Sequence, residues 1–430
     1  MSTTRRNFVA ASGAALAAAA LPRRAFGIGR PDADPIRIGV IGCGGRGTGA
    51  VQNALTASEN VSLVAIGDLF PDHLAAARAN FAKVANDNAD FASKYKVTDD
   101  HCFTGFDAFR QVLATDVDLV ILATPPAFRA EHLTASIAAG KHVFMEKPVA
   151  VDVRTALQVI AAADQAATKG LALVAGTQRR HDPRYVETIR RLHDGAIGDV
   201  ITGQVYWNQG GLWSHQRQPD WSDTEYQLRN WLYYTWASGD HIVEQHVHNI
   251  DVANWVMGAH PIRALGMGGR QTRTDPLYGQ IFDHFAIEFE YADGRRVSSM
   301  CRQQDGTASR VGEHFMGTRG TSNAYDTIAG ATTWKHAKLD IDPYVEEHRD
   351  LVVSIRNGKP LNEGRRIAES TLTAIMGRES CYTGQVVAWD ELIGANLAIL
   401  PESFALGPQA VPPVPTPGET RLDRGFTEGW

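Results

Sequence analysis

"IRIGVIGCGGRGTGAVQNALTASENVSLVAIGD", Ile36–Asp68, decides the fold. It opens on a short β-branched run, Ile36–Ile41, and glycines follow at once at positions 42, 44 and 47, in the spacing G-x-G-x-x-G. An alanine-rich helical segment comes next, then a second apolar strand ending at Asp68. Strand, glycine turn, helix and acid in this order are the parts of a dinucleotide-binding unit. Gly42 makes the turn, Gly44 lets backbone approach a pyrophosphate, and Gly47 packs helix on strand. The helix N-terminus then receives the phosphates. Gly42, Gly44, Gly45, Arg46 and Gly47 are therefore the expected cradle. Asp68 is placed to bond a ribose 2′-OH and to repel a 2′-phosphate, which favours NAD over NADP.

Outward from this unit the alternation continues. "DLVILATPP" reads as a buried strand with Thr124, Pro125 and Pro126 at its carboxyl end. "AEHLTASIAAG" reads as a helix stopped by Gly140, and "KHVFMEKPVA" as a strand running into Glu146 and Lys147. "VRTALQVIAAADQAATKG" is a further helix, and "LALVAGTQRR", which contains Gln178, a further strand. Strand–helix repetition with short connections predicts an α/β, Rossmann-type doubly wound parallel sheet over 36–178. Ligands of such sheets lie beyond the carboxyl strand ends, where Thr124, Pro125, Pro126, Glu146, Lys147 and Gln178 join the expected cofactor-binding set. Over 179–400 the pattern shifts to alternating strands with Gly-rich turns, "YADGRR" being a hairpin signal. This predicts a second, α+β domain with an open, mainly antiparallel sheet. Residues 401–430 are Pro-rich and read as an extended arm.

Composition excludes several classes. The 430 residues are 44% hydrophobic and 21% charged, enough for two well-buried cores. A net charge of -6 and the lack of a basic patch with interleaved aromatics argue against nucleic acid. No apolar run is long enough to insert stably in a membrane. The four cysteines have neither ligand-like nor disulfide-framework spacing. Residues 1–30 carry Arg5, Arg6 and Phe8 ahead of an alanine-rich stretch and resemble a twin-arginine export signal, implying a periplasmic or other extracytoplasmic location.

"SGDHIVEQHVHNID", Ser238–Asp251, concentrates histidines and acids. Read as one helix through Trp255, it puts His241, Glu244, His248 and Asp251 on one face and His246 on the other. His248 suits a general base, since neutral imidazole titrates near ~6.5. His241, Glu244 and His248 also form a conceivable metal triad, and helix capping or buried hydrogen bonding is the third reading. No outside ligand cluster accompanies the triad, so no metal is expected. Five tryptophans between Trp207 and Trp236 are mixed with polar residues. They suit a sugar ring, which has apolar CH faces and a hydroxyl rim, or equally a subunit interface. Trp231, Arg180, Tyr185, His241 and Asp251 are the substrate-binding candidates.

"GVIGCGGRG", "ATPPAFRAEH", "GKHVFMEKPVAVD", "QRRHDPRYVETIRRLHDGAIGDV" and the H-x-x-D of His248 and Asp251 together resemble the Gfo/Idh/MocA superfamily, the glucose–fructose oxidoreductase and inositol dehydrogenase group. The resemblance implies that Lys147 lies between nicotinamide and substrate. It also implies that Glu244, His246 and His248 stand where the family carries D-x-G-x-H, with Glu for Asp and His for Gly. Lys147, His248 and Glu244 are thus the catalytic candidates: His248 as base, Lys147 stabilising a developing alkoxide, Glu244 orienting substrate or tuning His248. The implied activity is NAD-dependent hydride transfer at a secondary alcohol of a sugar, polyol or glycoside, by a homodimer or homotetramer. Export adds the expectation of a tightly held NAD, since no free pool lies outside the cytoplasm. Two alternatives are a redox-neutral glycoside hydrolase or lyase using transient C3 oxidation, and a non-catalytic sugar or cofactor sensor.

Overall fold

The computed structural model describes residues 34–424. The twin-arginine stretch and the last residues of the Pro-rich segment lie outside them. Six parallel strands form the first sheet: β1 (Ile36–Ile41), β2 (Val61–Asp68), β3 (Cys102–Thr104), β4 (Leu119–Leu122), β5 (His142–Met145) and β6 (Leu173–Ala175). Their order is β3-β2-β1-β4-β5-β6. The chain winds outward from β1 to β3, then returns to place β4 beside β1. That reversal opens a crevice at the carboxyl ends of β1 and β4. All four residues of β4 are buried, as a strand covered on both faces requires. β3 is a short, half-exposed strand with no apolar run to announce it.

The second sheet has nine strands: β7 (Val200–Gln209), β8 (Arg263–Gly269), β9 (His284–Glu290), β10 (Arg296–Gln303), β11 (Arg310–Gly317), β12 (Gly320–Ser322), β13 (Thr327–Gly330), β14 (Trp334–Lys335) and β15 (Val387–Ala388). The order is β14-β13-β12-β11-β7-β10-β9-β8-β15, antiparallel except where β7 runs parallel to β10. "YADGRR" is the β9–β10 hairpin, with Gly294 at φ 84°. The helix Gly364–Thr383 is buried along most of its length, with Leu372, Ile375 and Met376 in the second-domain core.

The two units interlock. Ala150, Val151, Val153 and Ala156 belong to the core beneath the second sheet. In return, Leu351, Val352 and Ile355 of the helix Pro343–Arg356 complete the apolar cluster around β1, β2 and α1 (Gly45–Ala57). The Pro-rich segment has no helix or strand up to residue 424 and lies on its own chain. Phe404 meets Phe128 at 4.5 Å, and Arg424 bonds the buried Glu379 with both terminal nitrogens, at 2.6 and 3.1 Å.

Candidate active site

The glycine turn is shaped by close approach. Gly42 has φ 98°, and a Cβ there would lie 2.5 Å from the Thr124 nitrogen. A Cβ on Gly47 would collide with the carbonyl oxygen of Gly42. Gly44 and Gly45 are open: a Cβ on either meets nothing within 4 Å. No side chain caps the N-terminus of α1, so its free N–H groups face this opening. The Asp68 carboxylate is fixed beside it, accepting from the Cys43 nitrogen at 2.6 Å and the Phe70 nitrogen at 2.8 Å. A cavity of about 130 Å³ starts here, lined by Gly42, Gly44, Asp68, Thr124, Pro125 and Trp231 among others. A cradle open at Gly44 and Gly45, donors of a helix N-terminus and an anchored acid fit the pyrophosphate and ribose of NAD.

His73, Phe70, Phe128 and His132 also line this cavity, and the sequence reading passed over them. Their signal was position, since each follows closely on the carboxyl end of β2 or β4. Leu228 and Trp231 reach it from the second domain. Beside them Arg229 bonds Asp72 bidentately, at 2.9 and 3.0 Å, and its guanidinium lies 4.0 Å from the centre of the Phe70 ring.

A second cavity of about 300 Å³ adjoins the first through Thr124 and Trp231. Lys147, Glu244 and His248 meet in its wall, with Arg46, Pro126 and Glu146. Lys147 Nζ donates to Glu244 Oε1 at 2.9 Å and to the Glu244 carbonyl at 2.6 Å. Glu244 thereby fixes the ammonium at the cavity wall. His248 is buried, its Nδ1 has no partner, and its ring stacks on Trp207 with centroids 5.7 Å apart. Burial, then the cations of Lys147 and Arg179, push its pKa well below the ordinary value, so the imidazole is neutral. Arg46 pairs with Glu146 and lies 3.5 Å from the buried Glu347, whose pKa burial and Glu146 push up. Arg129, buried, donates to the Leu122 and Thr124 carbonyls and so holds the turn between the two cavities. Trp207, from the tryptophan-rich stretch, joins this wall, and Ala123, Arg129, Gly176, Gln245 and Tyr344 are lining residues that the sequence reading passed over.

Ser238–Trp255 is not one helix. Gly239 at φ 83° and Asp240 at φ 72° end one turn, His241–Glu244 is a separate short helix, and Val247–Met257 is the next. Helical arithmetic fails across these breaks, which corrects the shared face drawn above. His241 turns away from the cavity: its Nδ1 lies 3.0 Å from Asp240 Oδ1 and its ring packs on Phe285. His246 is likewise buried, with Nε2 2.7 Å from Ser299 Oγ. Among the described residues no His, Cys, Asp or Glu group is arranged to hold a metal ion.

Three further substrate candidates are drawn elsewhere by their own partners. Asp251 accepts from Arg180 at 2.8 and 3.0 Å, from Arg366 at 3.1 Å and from Ser370 at 2.8 Å, and lines neither cavity. Two partly buried cations satisfy the buried Asp251, and neither Asp251 nor Arg180 lines a cavity. Tyr185 donates its hydroxyl to the buried Glu313. Trp231 is the one substrate candidate of the five in the cavity wall. Gln178 Nε2 donates to the Tyr344 hydroxyl at 3.0 Å rather than facing the cradle.

Comparison with known proteins follows the same division. Residues 36–172 match the family described as "Oxidoreductase family, NAD-binding Rossmann fold", and residues 185–322 match the "GFO/IDH/MocA C-terminal domain". Inositol 2-dehydrogenase 4 of Saccharopolyspora erythraea is 34% identical over 163 residues, 38% of this chain and 42% of that protein. The 2,7-anhydro-N-acetylneuraminate hydratase of Mediterraneibacter gnavus is 25% identical over 211 residues, 49% of this chain and 50% of that one. The chain thus spans about half the length, or less, of these curated relatives. The crystal structure of GenD2 from gentamicin A biosynthesis, in complex with NAD, superposes with a TM-score of 0.64 at 20% identity, over 84% of this chain and 98% of that one. At that identity the likeness is one of fold.

Proposed function

The chain belongs to the GFO/IDH/MocA oxidoreductase family, its NAD-binding Rossmann domain followed by the family's C-terminal domain, and from that premise we propose that it is an NAD-dependent oxidoreductase acting on a secondary alcohol of a sugar, polyol or glycoside. The observation that carries this reading is the meeting of Lys147, Glu244 and His248 in one cavity that adjoins the dinucleotide cradle. NAD, when bound, supplies the acceptor and donor of hydride. His248 takes the hydroxyl proton, for which its imidazole is already in the neutral form. Lys147 donates to the same oxygen, and its charge favours the alkoxide. Glu244 holds Lys147 in place. The Lys147 cation, which helps depress the His248 pKa, also stabilises the developing negative charge.

Lys147→Met and His248→Ala are expected to lower turnover by a factor on the order of 10² or more while NAD still binds. Cofactor reduction across a panel of sugars, polyols and glycosides, with NAD binding by calorimetry, checks both. Near-normal turnover by His248→Ala removes His248 as the base.

A retained cofactor and a redox-neutral cycle form a second reading, supported by the Arg229–Asp72 pair that ties the two domains beside the first cavity and by Phe404 packed on its lining residue Phe128. A relative named as a hydratase, a reaction without net oxidation, points the same way. Products with a cleaved glycosidic bond and no accumulated NADH would decide for it. Export rests on Arg5, Arg6 and Phe8, and cell fractionation tests it. Self-association rests on the outer face of the second sheet, where Met267 (79% exposed) and Met300 (43% exposed) both flank Ala286. Light scattering that finds a monomer would remove it.

A further inference from the structure

The second cavity continues outward along an aromatic path. Trp231 forms part of its wall, and Trp213 meets Trp231 edge-on with ring centroids 6.3 Å apart at 61°. Trp213 is 44% exposed, the one tryptophan among the exposed large apolar side chains of the described residues. Yet its backbone is held firmly. The buried Tyr233 donates its hydroxyl to the carbonyls of Leu212 and Trp213, at 3.1 and 2.7 Å. The fully buried Asn230 bonds His215 in both directions, accepting from its nitrogen at 2.7 Å and donating to its carbonyl at 3.0 Å. The Gly211 nitrogen donates to Asp305 at 2.8 Å. A segment with no helix or strand costs conformational entropy to fix. Here three side chains fix it, and the result is an indole ring facing solvent beside the cavity.

We propose that Trp213 is the platform of an outer subsite, which takes the second ring of a glycoside whose first ring reacts at Lys147 and His248. An indole offers an apolar face to the CH side of a pyranose, and the exposed His215, whose ring lies 5.2 Å from that of Trp213, offers a polar group to its hydroxyl rim. The inner cavity, about 300 Å³, receives the reactive end of the cofactor as well as the reacting sugar. Past Trp231 the aromatic surface continues outward to the exposed Trp213. A free inositol or monosaccharide would leave Trp213 bare. The proposal rests on the carbohydrate reading of the inner cavity and adds a substrate length to it.

The test uses the full-length, NAD-loaded protein and matched probes: a methyl glycoside of each common hexose and the disaccharides that carry the same sugar. Cofactor reduction measures turnover, and calorimetry on Lys147→Met measures binding without turnover. The expected result is a disaccharide kcat/KM roughly ten-fold above that of the matching methyl glycoside. Trp213→Ala brings that ratio toward one, chiefly through KM, and Trp213→Phe restores part of it. An unaltered ratio in Trp213→Ala overturns the subsite. So does a shifted gel-filtration volume with discrimination intact, which would make Trp213 a subunit contact. Binding of no probe at all removes the carbohydrate reading itself, whereas binding without preference for length removes the subsite alone.

Discussion

His248 and His73 show how a few neighbours set the state of a titrating group. Burial and then Lys147 keep His248 neutral below its ordinary range. Removing the Lys147 cation in Lys147→Met should raise the His248 pKa toward ~6.5, which NMR titration of the ring reads directly. A pKa unmoved by that change would detach the two residues. His73 goes the other way. Its Nδ1 lies 3.5 Å from Asp68 Oδ1, and the hydrogen bond to Asp68, with the charges of Asp68 and Asp72, raises its pKa against burial and Arg229. As pH falls through that raised value, His73 gains a proton beside Asp68 and offsets the charge that repels a 2′-phosphate. NADP binding should therefore improve relative to NAD on acidification, and less so in His73→Asn. Asp68→Ala should narrow the same gap at neutral pH. Calorimetry with both cofactors between pH 5.5 and 8 checks both, and equal binding of the two by the unaltered protein would remove the role given to Asp68.

Among the elements, the turn between β1 and α1 separates folding from binding. Gly47→Ala puts a methyl group into the Gly42 carbonyl, so it should cost about 1–3 kcal/mol of stability and weaken NAD binding with it. Gly44 has φ -69° and open space about its Cβ position, so Gly44→Ala should fold normally yet bind NAD poorly. Thermal melts with and without NAD separate the two cases, and a destabilised Gly44→Ala would show that the opening is not reserved for a ligand. This turn was legible because all its parts are local: β1 and β2 have the bounds that the apolar runs suggest. The meeting of Lys147, Glu244 and His248 came from motif and resemblance. The break at Gly239 and Asp240 was hidden, because helical periodicity carries no mark of a positive φ at an aspartate. The loss of Arg180 and Asp251 to each other was hidden for a different reason. Their further partners, Arg366 and Ser370, arrive from a distant helix, and a charged motif looks alike whether it meets a substrate or a neighbour.

For the whole molecule, the interlocking of the two units makes the end of the chain matter to its centre. Arg424 is buried and bonds Glu379, which also accepts from the buried Arg378. Arg378 in turn donates to the Gly239 carbonyl, just ahead of the short helix that carries Glu244. Burial alone would raise the Glu379 pKa, but Arg424 and then Arg378 outweigh it and hold the carboxylate below its ordinary value. A depressed carboxylate stabilises the fold above its unfolded pKa, near ~4.3, and that contribution is lost as pH falls through the folded value. Arg424→Ala leaves Glu379 and Arg378 as an incompletely paired buried cluster, which should cost about 3–5 kcal/mol. The loss should shrink on acidification, as Glu379 takes up a proton, and melts at pH 7 and pH 4 measure it. Truncation at Gly407 removes the same anchor and frees the segment that sets Phe404 against Phe128 in the wall of the cofactor cleft. Cofactor should then leave faster on dialysis than from the full chain, while Arg424→Ala, which keeps the Gln409 bonds to Asp223 and Gln227 just after Phe404, should lose stability with a smaller change in release. Equal release rates from the truncated and full-length proteins would restrict the segment to holding the fold, with no part in retaining NAD.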